Sequence, residues 1–205
     1  MNFEILGSFL VASMILTVMP GPDIVYVLAQ SITNGKKYGI ATAAGLASGI
    51  IIHTTLVAFG VSAIIQQSPQ LFWSIKLFGA IYLLYLAFLT FKSTSEIKLD
   101  AKVTKKDFFN LYKQGFIMNV LNPKVSIFFL AFFPGFLYHS TQNTVIQFYV
   151  LGLIFMIQAF VIFSLVALLS GKFSMYLKTN PTFNTNLKWF KILVFIGIAI
   201  FIVLT

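Results

Sequence analysis

Proline interrupts the chain twice inside hydrophobic stretches, at MPGPD (residues 19–23) and at NVLNPK (residues 119–124). A charged residue closely follows each of these prolines, Asp23 in the first stretch and Lys124 in the second. A proline inside a helix lacks the N–H group and clashes with a preceding carbonyl, which costs about 3 kcal/mol. In lipid, the freed carbonyl groups find partners only in protein or in a water-filled cavity. Two broken spans in corresponding parts of a chain therefore indicate the binding site of a transporter.

The composition is typical of an integral membrane protein. Of the 205 residues, 59% are hydrophobic and 9% are charged, whereas soluble chains are about one quarter charged. The net charge of +9 does not indicate nucleic-acid binding, because the lysines lie between hydrophobic runs and form no basic face or motif. The chain has no cysteine, which excludes disulfides and thiolate metal sites. We expect neither a metal nor a cofactor, and we expect most aromatic side chains to face lipid.

Six hydrophobic stretches are long enough to span a membrane, since a helical span needs about 20 mostly apolar residues to cross a hydrocarbon core of ~30 Å. The sequence therefore predicts an all-α polytopic membrane protein embedded in a lipid bilayer. The six predicted transmembrane helices lie at residues 5–30, 38–65, 71–91, 114–137, 145–169 and 187–204. The two proline stretches are predicted to break the first and the fourth of these helices.

The connections between the predicted spans alternate in charge. Lys36 and Lys37 lie in the first connection, six lysines lie between residues 92 and 113 in the third, and four lie between residues 172 and 191 at the edges of the fifth. The second and fourth connections contain no lysine. Because lysine-rich loops stay cytoplasmic, we predict that the first, third and fifth connections are cytoplasmic and that both termini lie outside.

The third connection, residues 93–113, divides the chain into halves at residues 1–92 and 114–205, each with three predicted spans. An odd number of spans per half inverts the second half relative to the first. Placing Pro20 over Pro123 aligns the two broken spans. We therefore predict one transmembrane transporter domain, residues 1–205, built from two inverted three-helix repeats, which is a recurrent plan among transporters with broken helices.

Asp23 is the acidic residue that the first stretch places within the membrane. Pro22 suits the first position of a new half-helix, and Gly21 suits the turn before it. Asp23 then lies in the first helical turn, where the helix dipole favours a carboxylate. An acid at the centre of a span costs roughly 2.5–3.5 kcal/mol on insertion scales and usually marks a substrate or proton pathway. We therefore assign Pro20, Gly21, Pro22 and Asp23 to substrate binding or coupling; the alternative is that Asp23 only stabilises the restart of the helix.

Lys124 is the basic residue that the second stretch places within the membrane. Asn122 is a favourable N-cap and Pro123 a favourable first helical residue, so Lys124 falls in a first turn, where the dipole disfavours a cation. A lysine there needs a partner, either Asp23 or the carboxylate of a bound substrate; the alternative is that it snorkels to an interface. Asn119, Asn122, Pro123 and Lys124 are therefore candidates for substrate binding or coupling. Together with Asp23 they suit a small zwitterion.

Two further features lie in the second predicted span. Gly45 and Gly49 belong to faces of small residues at four-residue spacing, which predicts close helix packing. His53 follows one turn later and is either a hydrogen-bonded core residue or a proton relay. The sequence leaves the oligomeric state open, including a homo-oligomer formed through the small residues of this span.

Several short motifs follow one another along the chain. They are MPGPD at residues 19–23, GKKYG at residues 35–39 followed by Gly45 and Gly49, and QGFIMNVLNPK at residues 114–124 continuing to FFLAFFP at residues 128–134. In these motifs, their order and its length, the whole chain resembles the LysE/RhtB family of bacterial amino-acid exporters. The chain departs from the family at Gly135, where many members carry glutamine, so no role for an amide carries over to that position. The resemblance implies export of amino acids or close derivatives across the bacterial cytoplasmic membrane, driven by a proton gradient.

A proton-coupled exporter working by alternating access has two alternatives from other classes of protein, an enzyme in the membrane and a passive channel or structural subunit. An intramembrane aspartyl protease needs two acids, and only Asp23 qualifies. A zinc hydrolase needs clustered ligands, yet the two histidines, His53 and His139, lie far apart in the sequence. We therefore expect that this protein is not an enzyme. The remaining alternative is a passive channel or a membrane subunit that transports nothing, although a channel would more typically show a repeated filter.

Overall fold

The computed structural model describes residues 3–93, 107–139 and 143–204, and this part of the chain is helical with no β-strand. In chain order the helices are α1 (Phe3–Val18), α2 (Pro22–Thr33), α3 (Lys36–Leu56), α4 (Ser62–Gln67), α5 (Pro69–Lys92), α6 (Phe108–Val120), α7 (Pro123–Ile127), α8 (Thr144–Leu168), α9 (Ser170–Thr179) and α10 (Pro181–Leu204). A π-helical segment, Val57–Val61, joins α3 to α4. A second π-helical segment, Phe128–Phe132, and a 3₁₀ segment, Phe133–Phe136, extend α7.

The described helices provide four candidate membrane spans and two bent helix pairs. The helices long and apolar enough to cross a membrane unaided are Lys36–Ile64, Pro69–Lys92, Thr144–Leu168 and Pro181–Leu204. The bent pairs are α1 with α2, bent by 59°, and α6 with Pro123–Phe136, bent by 48°; the chain has six spans if each pair is one span. The prediction of an all-α polytopic membrane protein is confirmed, and the helices of both proline stretches are broken at proline. The arrangement of six spans as two inverted repeats stays a prediction.

Local capping residues set two helix boundaries that differ from the predicted ones. Helix α6 begins at Phe108, within the predicted linker 93–113, because Asp107 caps it by accepting a hydrogen bond from the Asn110 amide at 2.7 Å. Helix α10 begins at Pro181, earlier than predicted, since Asn180 precedes it and accepts from the Phe183 amide at 3.0 Å. The fifth connection also contains α9. Residues 94–106, which include most of the predicted linker, lie outside the described residues.

Each break follows from the residue that precedes a proline. A residue in that position is disfavoured in the helical region and adopts an extended conformation. Gly21, before Pro22, has φ −135° and ψ −175°, and Asn122, before Pro123, has φ −77° and ψ 109°. A new half-helix begins at each of the two prolines. Below, the first break means residues 19–21 and the second break means residues 121–122.

Glycine allows α3 to pack closely along α6, the half-helix that leads to the second break. Gly45 lies against the backbone of Tyr112, and Gly115 lies against the backbone carbonyl of Thr42, so a β-carbon at either glycine would overlap backbone atoms. Gly49 lies against the side chain of Asn119 at the end of α6. These contacts position the second break relative to the second span.

A cluster of phenylalanine rings fills the protein interior on the side of the breaks where α1 begins and the 3₁₀ segment ends. The phenylalanine cluster consists of Phe9, Phe128, Phe129, Phe132, Phe133, Phe136, Phe148, Phe155 and Phe201. Neighbouring ring centroids are 5.2 Å apart for Phe9 and Phe133, and 4.4 Å apart for Phe129 and Phe133. The expectation that most aromatic side chains face lipid does not extend to this set. Five of its members lie in the π-helical and 3₁₀ segments, and the others lie on α1, α8 and α10.

Candidate functional site

A hydrogen-bonded bridge joins the two breaks. The Nδ2 atom of Asn122 donates to both carboxylate oxygens of Asp23, at 3.0 Å and 2.8 Å. Both side chains are buried, with 3% of Asp23 and 5% of Asn122 exposed. The Oδ1 atom of Asn122 accepts from the backbone amide of Lys124 at 3.1 Å, so one amide side chain caps α7 and holds the acid of α2. We refer to this contact as the Asp23–Asn122 bridge.

Lys124 reaches from the second break to the first. Its Nζ atom lies 3.5 Å from the backbone carbonyl oxygen of Leu16 in α1. In a continuous helix that carbonyl would accept from residue 20, but Pro20 has no N–H to give. The Lys124 ammonium thus lies beside the carbonyl that Pro20 leaves free, and it also interacts electrostatically with Asp23. Within the described residues no direct ion pair joins Lys124 to Asp23.

His53 occupies the corresponding place at the second break. Pro123 has no N–H group to donate to the carbonyl of Asn119, four residues earlier. The backbone amide of Asn122 donates to this carbonyl instead, at 3.0 Å, and the Nε2 atom of His53 lies 3.1 Å from the same oxygen. Because a carbonyl only accepts, Nε2 carries the proton in this contact. His53 is 4% exposed and is therefore a hydrogen-bonded core residue in this conformation.

The backbone amides in the first turn of α7 already have hydrogen-bond acceptors and are not available to a ligand. The Lys124 amide donates to the Asn122 side chain, and the amides of Val125 and Ser126 donate to the Asn122 carbonyl at 3.1 Å and 3.0 Å. Pro123 has no N–H group. Asn122 therefore satisfies the amide donors of the second half-helix, and Lys124 contributes its side chain instead.

One cavity of about 490 Å³ adjoins both breaks. It is lined by Met19, Pro20, Gly21, Pro22, Val25, Tyr82, Leu86, Leu89, Thr90, Asn122, Pro123, Lys124, Lys191 and Phe195. Helix α5 contributes residues of its second half, and α10 contributes Lys191 and Phe195, near its middle. The cavity therefore extends from the breaks toward the Lys92 end of α5, away from the phenylalanine cluster.

The cavity brings together six of the candidate site residues: Pro20, Gly21, Pro22, Asn122, Pro123 and Lys124. Asp23 lies behind Asn122, and Asn119 and His53 lie on the α3 side of the second break. Asn119 is buried, and within the described residues its Oδ1 atom has no hydrogen-bond partner. The described residues contain no cluster of histidine and acidic side chains suited to a metal ion.

Lys191 is the main site residue that sequence reasoning missed. The sequence analysis placed it at the edge of the fifth connection, near the start of the sixth predicted helix, whereas the structure places it ten residues into α10, lining the cavity. The signal that could have found it is Asn180-Pro181, an N-cap followed by a favourable first helical residue. A helix that starts there carries Lys191 about 15 Å along its axis. Tyr82 and Thr90 also line the cavity, and no sequence signal singles them out.

The fold and the site define a polytopic membrane protein whose two proline-broken spans share a cavity. The chain belongs to the LysE type translocator family, whose sequence profile matches residues 14–205. It is similar to proteins named leucine efflux protein in Salmonella choleraesuis (strain SC-B67), Salmonella typhimurium (strain LT2) and Salmonella typhi, at 31% identity over 167 residues. These matches cover 81% of this chain and 78% of each relative. No solved structure matches the chain.

Proposed function

We propose that this protein is a secondary transporter that exports neutral, apolar amino acids across the bacterial cytoplasmic membrane in exchange for protons. The observation that carries the proposal is that both proline breaks line one cavity of about 490 Å³. This volume lies in the range of about 300–1,000 Å³ that is common for small-molecule sites. Membership of a translocator family and similarity to leucine efflux proteins support the same function.

The chemistry of the cavity wall suits the two ends of such a substrate. Lys124 is one of the lining residues, and its ammonium group would attract a carboxylate. Leu86, Leu89 and Phe195 provide apolar surface for a hydrocarbon side chain. An amino acid with an apolar side chain would satisfy both surfaces.

The Asp23–Asn122 bridge supports proton coupling. Both oxygens of the Asp23 carboxylate accept from one amide nitrogen. Protonation turns one oxygen into a donor, so the amide loses an acceptor and the link between α2 and α7 weakens. Protonation of Asp23 would therefore loosen the contact that holds the two breaks together.

The closed and open sides of the site support alternating access. Phenylalanine rings fill the side toward Phe136, whereas the cavity extends toward Lys92. If the lysine-rich connections are cytoplasmic, as we propose, and both termini lie outside, this conformation faces inward. Rocking of the two halves about the breaks would then open the opposite side.

Proteoliposomes loaded with radiolabelled leucine test this proposal. We expect an outside-acidic pH gradient to accelerate efflux, and we expect Asp23→Asn to lose this acceleration while it retains leucine–leucine exchange. Asp107→Asn is the matched control, because Asp107 caps α6 outside the cavity and asparagine caps equally well. Gradient-accelerated efflux by Asp23→Asn at the wild-type rate would remove this acid from coupling. Flux that neither saturates nor responds to the gradient would indicate a passive channel.

A further inference from the structure

The cavity contains a second lysine in addition to Lys124. Lys191 lies within α10 and is partly buried at the cavity wall. Lys188, one turn earlier on α10, contacts a different region: its Nζ donates to the Ser93 carbonyl at 2.7 Å, and it does not line the cavity. The position of Lys191 thus differs from that of a lysine at the end of the span.

The two lysines share the cavity without an acidic neighbour on its wall. Within the described residues, the cavity lining contains no aspartate or glutamate, because Asp23 lies behind Asn122. Both lysines line the same cavity, so their like charges repel each other across it. Other polar side chains of the wall, such as Thr90 and Asn122, are uncharged. The charged side chains of the described wall are therefore two lysines, of which Lys124 also interacts with the buried Asp23, and an anion between the lysines would relieve their repulsion.

We propose that Lys191 and Lys124 together form the carboxylate subsite of the cavity and restrict its substrates to amino acids with a free carboxylate and no cationic side chain. This inference rests on the proposed function and specifies the substrate class. A carboxylate between the two ammonium groups receives charge-assisted hydrogen bonds from both. It also leaves the apolar side chain to pack against Leu86, Leu89 and Phe195.

The same charge arrangement excludes two kinds of close analogue. An amino-acid amide such as leucinamide has no negative charge to place between the lysines. Lysine itself has a carboxylate, but its side chain would bring a further ammonium group into a cavity whose described wall has no acid. Repulsion between like charges in a partly dehydrated cavity is stronger than in water, so both analogues should be rejected.

Efflux from proteoliposomes tests the wild-type protein first. We expect excess lumenal 4-methylpentanoate, which keeps the carboxylate and the apolar chain of leucine, to inhibit leucine efflux. We expect leucinamide or lysine at the same concentration to have no effect. Wild-type export of lysine at a rate comparable with leucine would overturn the inference without a variant. Absence of gradient-driven efflux for every amino acid would overturn the proposed function itself, which distinguishes the two failures.

Lys191→Gln tests the residue directly, with Lys188→Gln as the matched control on the same helix. We expect Lys191→Gln to raise the KM for leucine about tenfold, as for the loss of one charge-assisted hydrogen bond. Its preference for leucine over leucinamide should fall by a similar factor, and Lys191→Arg should restore part of that preference. A Lys191→Gln protein that exports leucine with wild-type KM and wild-type discrimination would refute the subsite while leaving the exporter intact.

Discussion

Replacing Asn122 with aspartate would separate the two roles of this residue. Aspartate caps a helix as well as asparagine does, so the start of α7 is preserved. The same change replaces the amide nitrogen that donates to both carboxylate oxygens, at 3.0 Å and 2.8 Å, by a second carboxyl group. Because the two oxygens share one donor nitrogen, this counts as one hydrogen bond to a charged group, which contributes about 1.5–3 kcal/mol. Soluble domains have total stabilities of about 5–15 kcal/mol, so we expect a substantial loss of stability, to which repulsion between the two carboxyl groups adds.

The exchanged pair provides the control for Asn122→Asp. In the double variant Asp23→Asn/Asn122→Asp, the amide and the carboxylate change places, so the donor and the acceptor still meet across the breaks. We expect this double variant to recover most of the stability that Asn122→Asp loses, whereas independent sites would give additive losses. Thermal denaturation in detergent, followed by the fraction that elutes as a folded peak in size-exclusion chromatography, measures the difference. A double variant no more stable than Asn122→Asp would show that the bridge contributes little.

Two other substitutions follow from contacts between α3 and α6. Gly45→Ala should sharply reduce the folded fraction in detergent, because its β-carbon would overlap the Tyr112 carbonyl, while Gly7→Ala, with open space around it, should behave as wild type. Equal stability of the two would contradict the close packing of α3 on α6. His53→Gln keeps a donor for the Asn119 carbonyl and should retain gradient-driven efflux, whereas His53→Phe should lose stability. A stable His53→Gln protein without proton coupling would instead identify a relay.

The breaks could be predicted from the sequence because their cause is local. A proline and the residue before it restrict their own backbone whatever the tertiary context, and both half-helices restart at proline. The ends of the unbroken spans were harder to predict, because hydropathy marks where the membrane begins and not where the helix begins. Helix α10 starts in the polar stretch from Pro181, before the apolar residues from which the sixth span was predicted.

The contacts across the site could not be predicted from local rules. The sequence offered Asp23 or a substrate carboxylate as partners for Lys124, but Asp23 is bonded to Asn122, and Lys124 lies beside the Leu16 carbonyl. This outcome depends on how two half-helices from different parts of the chain face each other, which hydrophobic pattern does not encode. The position of Lys191 depends in the same way on the rotation of α10 about its axis.

Each proline deprives a backbone carbonyl of its helical hydrogen-bond donor, and a side chain from another element contacts that carbonyl. Pro20 frees the Leu16 carbonyl beside Lys124, and Pro123 frees the Asn119 carbonyl that His53 contacts. Because both partners are titratable side chains, each bend is stabilised by a group that a ligand or a proton can also engage. A substrate carboxylate that draws the Lys124 ammonium into the cavity would remove it from the Leu16 carbonyl. Substrate binding would then change the stability of the first break directly. In the proposed alternating access, the Leu16 carbonyl is therefore the place where a bound substrate would affect the backbone.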